Sequence, residues 1–314
     1  MENKNYAVID MGTNTFHLLV VKVDEDGIQL LCKEKMAVKI GQGGISKGVL
    51  AEDAIDRAVV ALQYFYTKAM EYSPIEIFAT ATSAVRSAAN KDVLIEKVKA
   101  TTGLIIQVIS GELEAELIYE GVRQSMDLGS ENSLIMDIGG GSVEFILCNK
   151  DKIHWKGSFE IGGQRLIDLF HQHEPILETD IQALKDFLEE RLRPLLEACL
   201  LHPPTILVGA SGSFDTLASI DILQKNLNIN IENEKEYELS KGVFYTIFKL
   251  VKPLTRSQRL EIPGMLELRA EMIVVACVLI DYVLGKIDFN TIRVSTYALK
   301  EGVLARLIAG NSIE

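Results

Sequence analysis

"AVIDMGTNTFHLLVV" (residues 7–21) and "LIMDIGGGSVEFIL" (residues 134–147) make the same unusual passage twice in one chain. Each runs from apolar residues into an aspartate, takes one spacer and a glycine, passes small hydroxyl or amide residues, and turns apolar again. The flanks read as strands bounded by turn residues, so each stretch is a hairpin closed by an Asp-x-Gly turn. Such a turn exposes several backbone N–H groups in a small concavity, and glycine lets the main chain approach a ligand closely. That concavity suits phosphate oxygens. Gly12, Thr13, Asn14 and Thr15 supply the donors of the first turn, and Gly139, Gly140, Gly141 and Ser142 those of the second. Asp10 and Asp137 place a carboxylate beside each. Two acids next to bound phosphate repel it unless a cation bridges them, so the pattern implies Mg²⁺, with Glu144 on the departing strand holding a metal-bound water.

One such turn alone is satisfied by an ordinary hairpin, since Gly and Asp are common turn residues. A third strand–glycine loop–helix, "PTILVGASGSFDTLA" from Pro204, argues against that reading and adds Gly209, Ser211 and Gly212 as phosphate-binding candidates. Elsewhere, apolar periodicity predicts a helix from Ala51, a strand running into a loop at "IEIFATATSAV", and a helix ending at Gly103. It also predicts a buried strand at "LIIQVIS", a helix opening at "GELEAELIYEGV", and helices at 164–171 and 179–200. Long helices and one strand, "TIRVST", fill the remainder. Each half thus begins with a hairpin and then alternates strand and helix, which predicts an α/β fold built by internal duplication.

At 314 residues the chain exceeds one small core, and the duplication divides it into 1–123 with about 299–314, and 124–298. A composition of 48% hydrophobic and 24% charged residues is that of a globular protein. The four cysteines are scattered without a C-x-x-C pair, which fits a reducing compartment and speaks against structural zinc. "MENKNYAVID" shows no basic-then-apolar leader, so a cytoplasmic location is expected. The run "MIVVACVLIDYVLG" from Met272 is interrupted by Asp281 and falls short of the ~20 residues of a membrane span, so it is expected as a buried helix. A net charge of −12 excludes general nucleic-acid binding while leaving room for a local anion site. A homodimer is the expected assembly on symmetry grounds alone.

The three loops resemble the phosphate-1, phosphate-2 and third phosphate loops of the acetate and sugar kinase/Hsp70/actin superfamily. Within it, "DMGTNTFHLLV", "ISGELEAELIYEGV" (109–122), "MDIGGGSVEF", "LRAEMIVVACVLI" and "STYALKEGVL" resemble motifs of the exopolyphosphatase/guanosine pentaphosphate phosphatase family. The resemblance spans nearly the whole chain and is to the short, two-domain form. It implies two ribonuclease-H-like (actin-like ATPase) domains facing across a cleft, and Mg²⁺-dependent hydrolysis of a terminal phosphoanhydride in inorganic polyphosphate or guanosine pentaphosphate. It assigns the base to Glu114 and a phosphate contact to Arg86. Arg269, in the motif "LRAEM", can reach the phosphates from the second domain. On the residues alone, Asp137, expected to be catalytic as well, stands with Asp10 and Glu144 at the metal. Two positions depart from the family pattern near the base, Leu113 for a Glu and Glu116 for an Arg, and two more near the C-terminus, Glu271 and Lys300. A superfamily kinase and a non-catalytic sensor of guanosine penta- or tetraphosphate are the rival readings. His17 is expected to support its strand neighbours, and His171 and His173, read on different faces of one helix, receive no role.

Overall fold

The computed structural model describes residues 4–313. Residues 1–3, part of the stretch read for a leader, and residue 314, in the expected C-terminal segment of the first domain, lie outside the described residues. The chain divides into two compact units, Met1–Gly121 with Leu299–Glu314, and Val122–Ala298.

In the first unit, β1 (Lys4–Met11), β2 (Phe16–Asp24) and β3 (Gly27–Met36) form an antiparallel meander. Gly27, at a φ of 119°, closes the second turn in a conformation that favours glycine. The chain then passes through α1 (Glu52–Met70), β4 (Glu76–Ala81), α2 (Ser83–Arg86), α3 (Lys91–Thr102), β5 (Ile106–Val108) and α4 (Gly111–Ser125). β4 pairs parallel with β1 and β5 parallel with β4, giving the order β3-β2-β1-β4-β5. Ala7, Val8 and Ile9 of β1 are fully buried, as a central strand covered on both faces requires.

The second unit repeats the plan. β6 (Ser133–Ile138), β7 (Val143–Cys148) and β8 (Ile153–Phe159) form the meander, followed by α5 (Gly163–Phe170), α6 (Glu178–Arg191), α7 (Arg193–Leu201), β9 (Ile206–Ala210) and α8 (Gly212–Gln224). Next come β10 (Glu236–Leu239), α9 (Lys241–Val251), α10 (Arg256–Leu260), α11 (Ile273–Lys286) and β11 (Thr291–Ser295). The order β8-β7-β6-β9-β11 matches the first sheet strand for strand, and β10 adds an antiparallel edge. The chain finally returns to the first unit as α12 (Leu299–Ile308), which packs against β1 and β2. Two sheets of this order give the α/β architecture expected from the duplication, and each is of the actin-like kind that the family resemblance implies.

Several local expectations are corrected. The helix read at 179–200 is two, broken at Leu192, because Pro194 has no N–H for a continuous ladder and fits only the first turn of α7. The segment after β4 is the short helix α2 rather than a loop. β5 has three residues, of which Gln107 is exposed, and Ile105 before it is 70% exposed, so this strand is a thin sheet edge rather than buried. β10 escaped the reading because its "EYEL" is short and polar, as edge strands often are. His171 caps the end of α5 and His173 lies beyond it, so the two do not share a helix. α11 is buried nearly all round, as expected, and no helix among the described residues is long and apolar enough to cross a membrane.

Candidate active site

In the first turn, Gly12 N–H donates to Thr15 O at 3.1 Å, and a Cβ at residue 12 would lie 2.9 Å from that oxygen. Gly41 N–H donates to Thr13 O (3.1 Å) and Lys39 N–H to Asn14 O (2.9 Å). In a planar trans peptide the carbonyl and the following N–H point in opposite directions. Anchoring the carbonyls of Thr13 and Asn14 on the 39–41 side therefore turns the amides of Asn14 and Thr15 the other way. Thr15 Oγ1 is buried without a hydrogen-bond partner among the described residues. This is a nest of donors of the kind that suits an anion. Asp10 sits across the hairpin from His17, which stays in the strand pairing.

The second turn has the same construction. Gly139 N–H donates to Ser142 O at 3.1 Å, and a Cβ on Gly139 would again lie 2.9 Å from that oxygen. The carbonyls of Gly139, Gly140 and Gly141 accept from the amides of Gly163 (2.9 Å), Gln164 (2.8 Å) and Gly162 (3.1 Å), at the start of α5. Arg165 Nε adds a bond to Gly141 O at 3.0 Å, and its Nη2 pairs with Glu160 at 2.6 Å. By the same peptide geometry the amides of Gly140, Gly141 and Ser142 all face away from α5. Among the described residues, no backbone carbonyl takes up the amides of Gly140 and Gly141. Asp137 stands directly opposite Glu144 on the neighbouring strand; they are 5% and 1% exposed, and Ser158 Oγ donates to Glu144 at 2.7 Å. Residues opposite one another in a ladder share a face, so the two carboxylates lie side by side.

Asp137, Glu144 and water offer hard oxygen donors, which suits Mg²⁺: that ion keeps several waters and takes one or two carboxylates rather than a full protein cage. No group of three or more His, Cys, Asp or Glu able to hold a metal occurs among the described residues. The fit is thus to a partly hydrated ion on Asp137 and Glu144, while Asp10 lies in the other unit.

In the third loop, Ser211 adopts φ 69°, ψ 171°, a backbone that is costly for anything but glycine. Gly209 is filled from the side by the Phe214 ring, 2.1 Å from a notional Cβ. Gly212 lies under the guanidinium of Arg269, whose Nη2 would be 2.4 Å from a Cβ there. Arg269 is 9% exposed, so it is not on a solvated helix face. Burial pulls its guanidinium below the ordinary arginine range, against the opposing pull of the Asp215 and Asp137 carboxylates. Its Nε and the Oγ of Ser213 are buried without hydrogen-bond partners among the described residues.

Back in the first unit, α4 opens on Ser110, whose Oγ accepts from Leu113 N–H (3.1 Å) and whose carbonyl accepts from Glu114 N–H (2.9 Å). This first turn holds Glu114 inward, 6% exposed, where Arg86 Nη1 donates to its Oε2 at 2.7 Å and to Ile109 O at 3.3 Å. Glu112 is exposed, so the carboxylate beside Arg86 is that of Glu114. Arg86 is not a free surface arginine. Glu116, at the family's Arg position, accepts from Arg306 Nη2 at 3.1 Å, and Arg306 also grips Glu120 at 2.8–2.9 Å. These acids raise the Arg306 pKa above its ordinary value, chiefly through the Glu120 bond. Gly302 of α12 brings the two helices so close that a Cβ would lie 1.8 Å from Leu117 O. The charge at 116 serves helix pairing here.

The sequence reading missed the braces at 39–41 and 162–165. A signal was present: an Ile-Gly pair, Ile40–Gly41 and Ile161–Gly162, follows the third strand of each meander, with both isoleucines buried. Gly162→Ala is expected to break the second turn, because its Cβ would lie 2.4 Å from the backbone of Gly140 and Gly141. Urea unfolding should show a loss of about 1–3 kcal/mol, and orthophosphate binding by calorimetry should vanish. Gly285→Ala, exposed on α11 with nothing within 4 Å, is the control and is expected to be neutral or stabilising by about 0.5–1 kcal/mol.

A family model described as the Ppx/GppA phosphatase family matches residues 19–310. The chain is similar to a solved exopolyphosphatase from Cytophaga hutchinsonii, at 48% identity over 99% of both chains with a TM-score of 0.96. It is similar in fold to a Ppx/GppA family member from Aquifex aeolicus, at 24% identity over 99% of both chains and a TM-score of 0.81. A Ppx/GppA enzyme structure from the same organism aligns at 25% identity over 96% of this chain and 99% of that one, with a TM-score of 0.79.

Proposed function

The chain belongs to the Ppx/GppA phosphatase family, and on that premise we propose that it is an exopolyphosphatase, releasing orthophosphate from the end of a polyphosphate chain. The observation that carries the reading is the inward carboxylate of Glu114, held in an ion pair by Arg86 at 2.7 Å. Hydrolysis needs a base for water, charge neutralisation on the phosphoryl oxygens, and an exit for the leaving phosphate. Glu114 takes the proton from the attacking water as its oxygen bonds to the terminal phosphorus; the bridging P–O bond breaks, and its electron pair leaves with the shortened chain. Arg86 can reach either a carboxylate or a phosphate, and a bound phosphoryl oxygen competes with Glu114 for it. That exchange places the guanidinium on the substrate and frees the carboxylate to act as a base. In the first unit the outward amides of the first turn suit phosphate oxygens without reorganisation; in the second unit the amides of its turn offer the same chemistry, with the positive charge of Arg269 at the third loop. Mg²⁺, when bound at Asp137 and Glu144, neutralises oxygen charge on the substrate.

The test is orthophosphate release from tripolyphosphate and longer chains, with Mg²⁺ and with a chelator, and without any acceptor. Release that needs Mg²⁺ and no acceptor is expected, and Arg86→Ala should raise KM by about tenfold or more. Guanosine pentaphosphate presents the same terminal bond and is the comparison substrate. No release from any of these compounds would remove the proposal, and transfer only to an added acceptor would make the chain a kinase.

A further inference from the structure

In a chain of net charge −12 with 44 acids, three stretches of the first unit contain no Asp or Glu: Met11–Val23, Lys35–Ala51 and Ile77–Lys91. They are far apart in sequence, yet the backbone ties them together. The middle stretch holds the first turn through Lys39 N–H on Asn14 O and Gly41 N–H on Thr13 O. Its other end holds the segment after Arg86: Ala89 N–H donates to Gly48 O at 2.8 Å, and the Asn90 amide bonds Leu50 both ways, at 2.8 and 2.9 Å. Lys39, Lys47 and Lys91 ride on this joined segment. Lys47 is exposed and the other two are half-buried. None of the three makes an ion pair among the described residues, whereas Lys22, Lys68, Lys97 and Lys185 each do. Lys91 opens α3, where a cation faces the positive end of the helix and gains nothing for stability.

We propose that Lys39, Lys47 and Lys91 form a track for the tail of a linear polyanion whose end lies at the first turn and Arg86. The proposal rests on the phosphohydrolase reading and deepens it by assigning the residues that hold the chain beyond its terminal phosphate and so favour a long chain, with one charge per phosphate, over a nucleotide. Lysines suit this task because an ammonium on a flexible stem follows a mobile chain without fixed geometry. Clearing acids from all three stretches concentrates a field that a uniformly acidic surface would cancel.

The experiment has two arms. In the first, kcat/KM for Mg²⁺-dependent phosphate release is measured on tripolyphosphate and on polyphosphate of about 15 and 60 units, for wild type, the triple Lys→Gln variant and the triple Lys→Arg variant. The wild type should improve with length by about tenfold or more, since an exposed charge contact is worth up to about fivefold and three act together. The Gln variant should flatten that rise and the Arg variant restore it. In the second arm, the same polyphosphates are titrated calorimetrically into the Glu114→Gln protein, with and without the lysine changes. Binding should tighten with length and weaken with salt only when the lysines are present. Equal length dependence in wild type and Gln variant, or no length dependence in wild-type kinetics or in binding, overturns the track. Lysine-dependent binding without turnover in the wild type removes the hydrolase reading and leaves the track standing.

Discussion

Glu114→Gln is expected to lower kcat for phosphate release by about a thousandfold, within the range for loss of a general base. KM should move little. The amide oxygen of glutamine can still accept from Arg86, and the Ser110 cap that starts α4 involves backbone and Ser110 Oγ, so the local fold persists. What disappears is the proton acceptor. Glu112→Gln, in the same first turn but exposed, should leave kcat within about twofold, as surface changes usually do. The pair of variants separates proton transfer from a general effect of negative charge at a helix start, which both glutamates provide. A Glu114→Gln protein within tenfold of wild type would mean that water is activated elsewhere, and equal losses in both variants would point to the helix dipole.

The repeated turns were legible because each carries its own label: an Asp at a strand exit, a Gly whose absent side chain is required, and small donors behind it. The matching bonds Gly12–Thr15 and Gly139–Ser142, both 3.1 Å, show how literally the duplication is kept. The braces were hidden for a physical reason. They are backbone bonds from residues 39–41 and 162–164, and a main-chain donor leaves no side-chain signature beyond the glycine that makes room for it. The Arg86–Glu114 contact was reachable only through resemblance, since no helical or strand period relates the two positions. Edge strands β5 and β10 were misread or missed because their partner covers one side only and their sequences do not need to be apolar. Glu116, a departure from the family's Arg, is a partner for Arg306, seen only once α12 packs beside α4.

Asp137→Asn should abolish Mg²⁺-dependent turnover, by at least about a hundredfold, without unfolding the protein. The expected stability change has an unusual sign. Asp137 is buried beside the Glu144 carboxylate, and both Asp137 and Asp215 act on the Arg269 guanidinium. Asp137 and Glu144 stand opposite one another on paired strands, and like charges at close range oppose each other. Replacing Asp137 by its neutral isostere removes part of that repulsion while Asp215 keeps a counter-charge on Arg269. Without Mg²⁺ the variant should therefore melt at the same temperature as wild type or higher, as expected where a site is built for a ligand rather than for stability. With Mg²⁺ the wild type should gain stability by mass action, and the variant should not. The two melts and the rate together give an unambiguous reading. A variant that keeps the Mg²⁺-induced shift places the ion on other ligands, and a variant that loses several degrees without Mg²⁺ means that Asp137 serves chiefly to hold Arg269 in place.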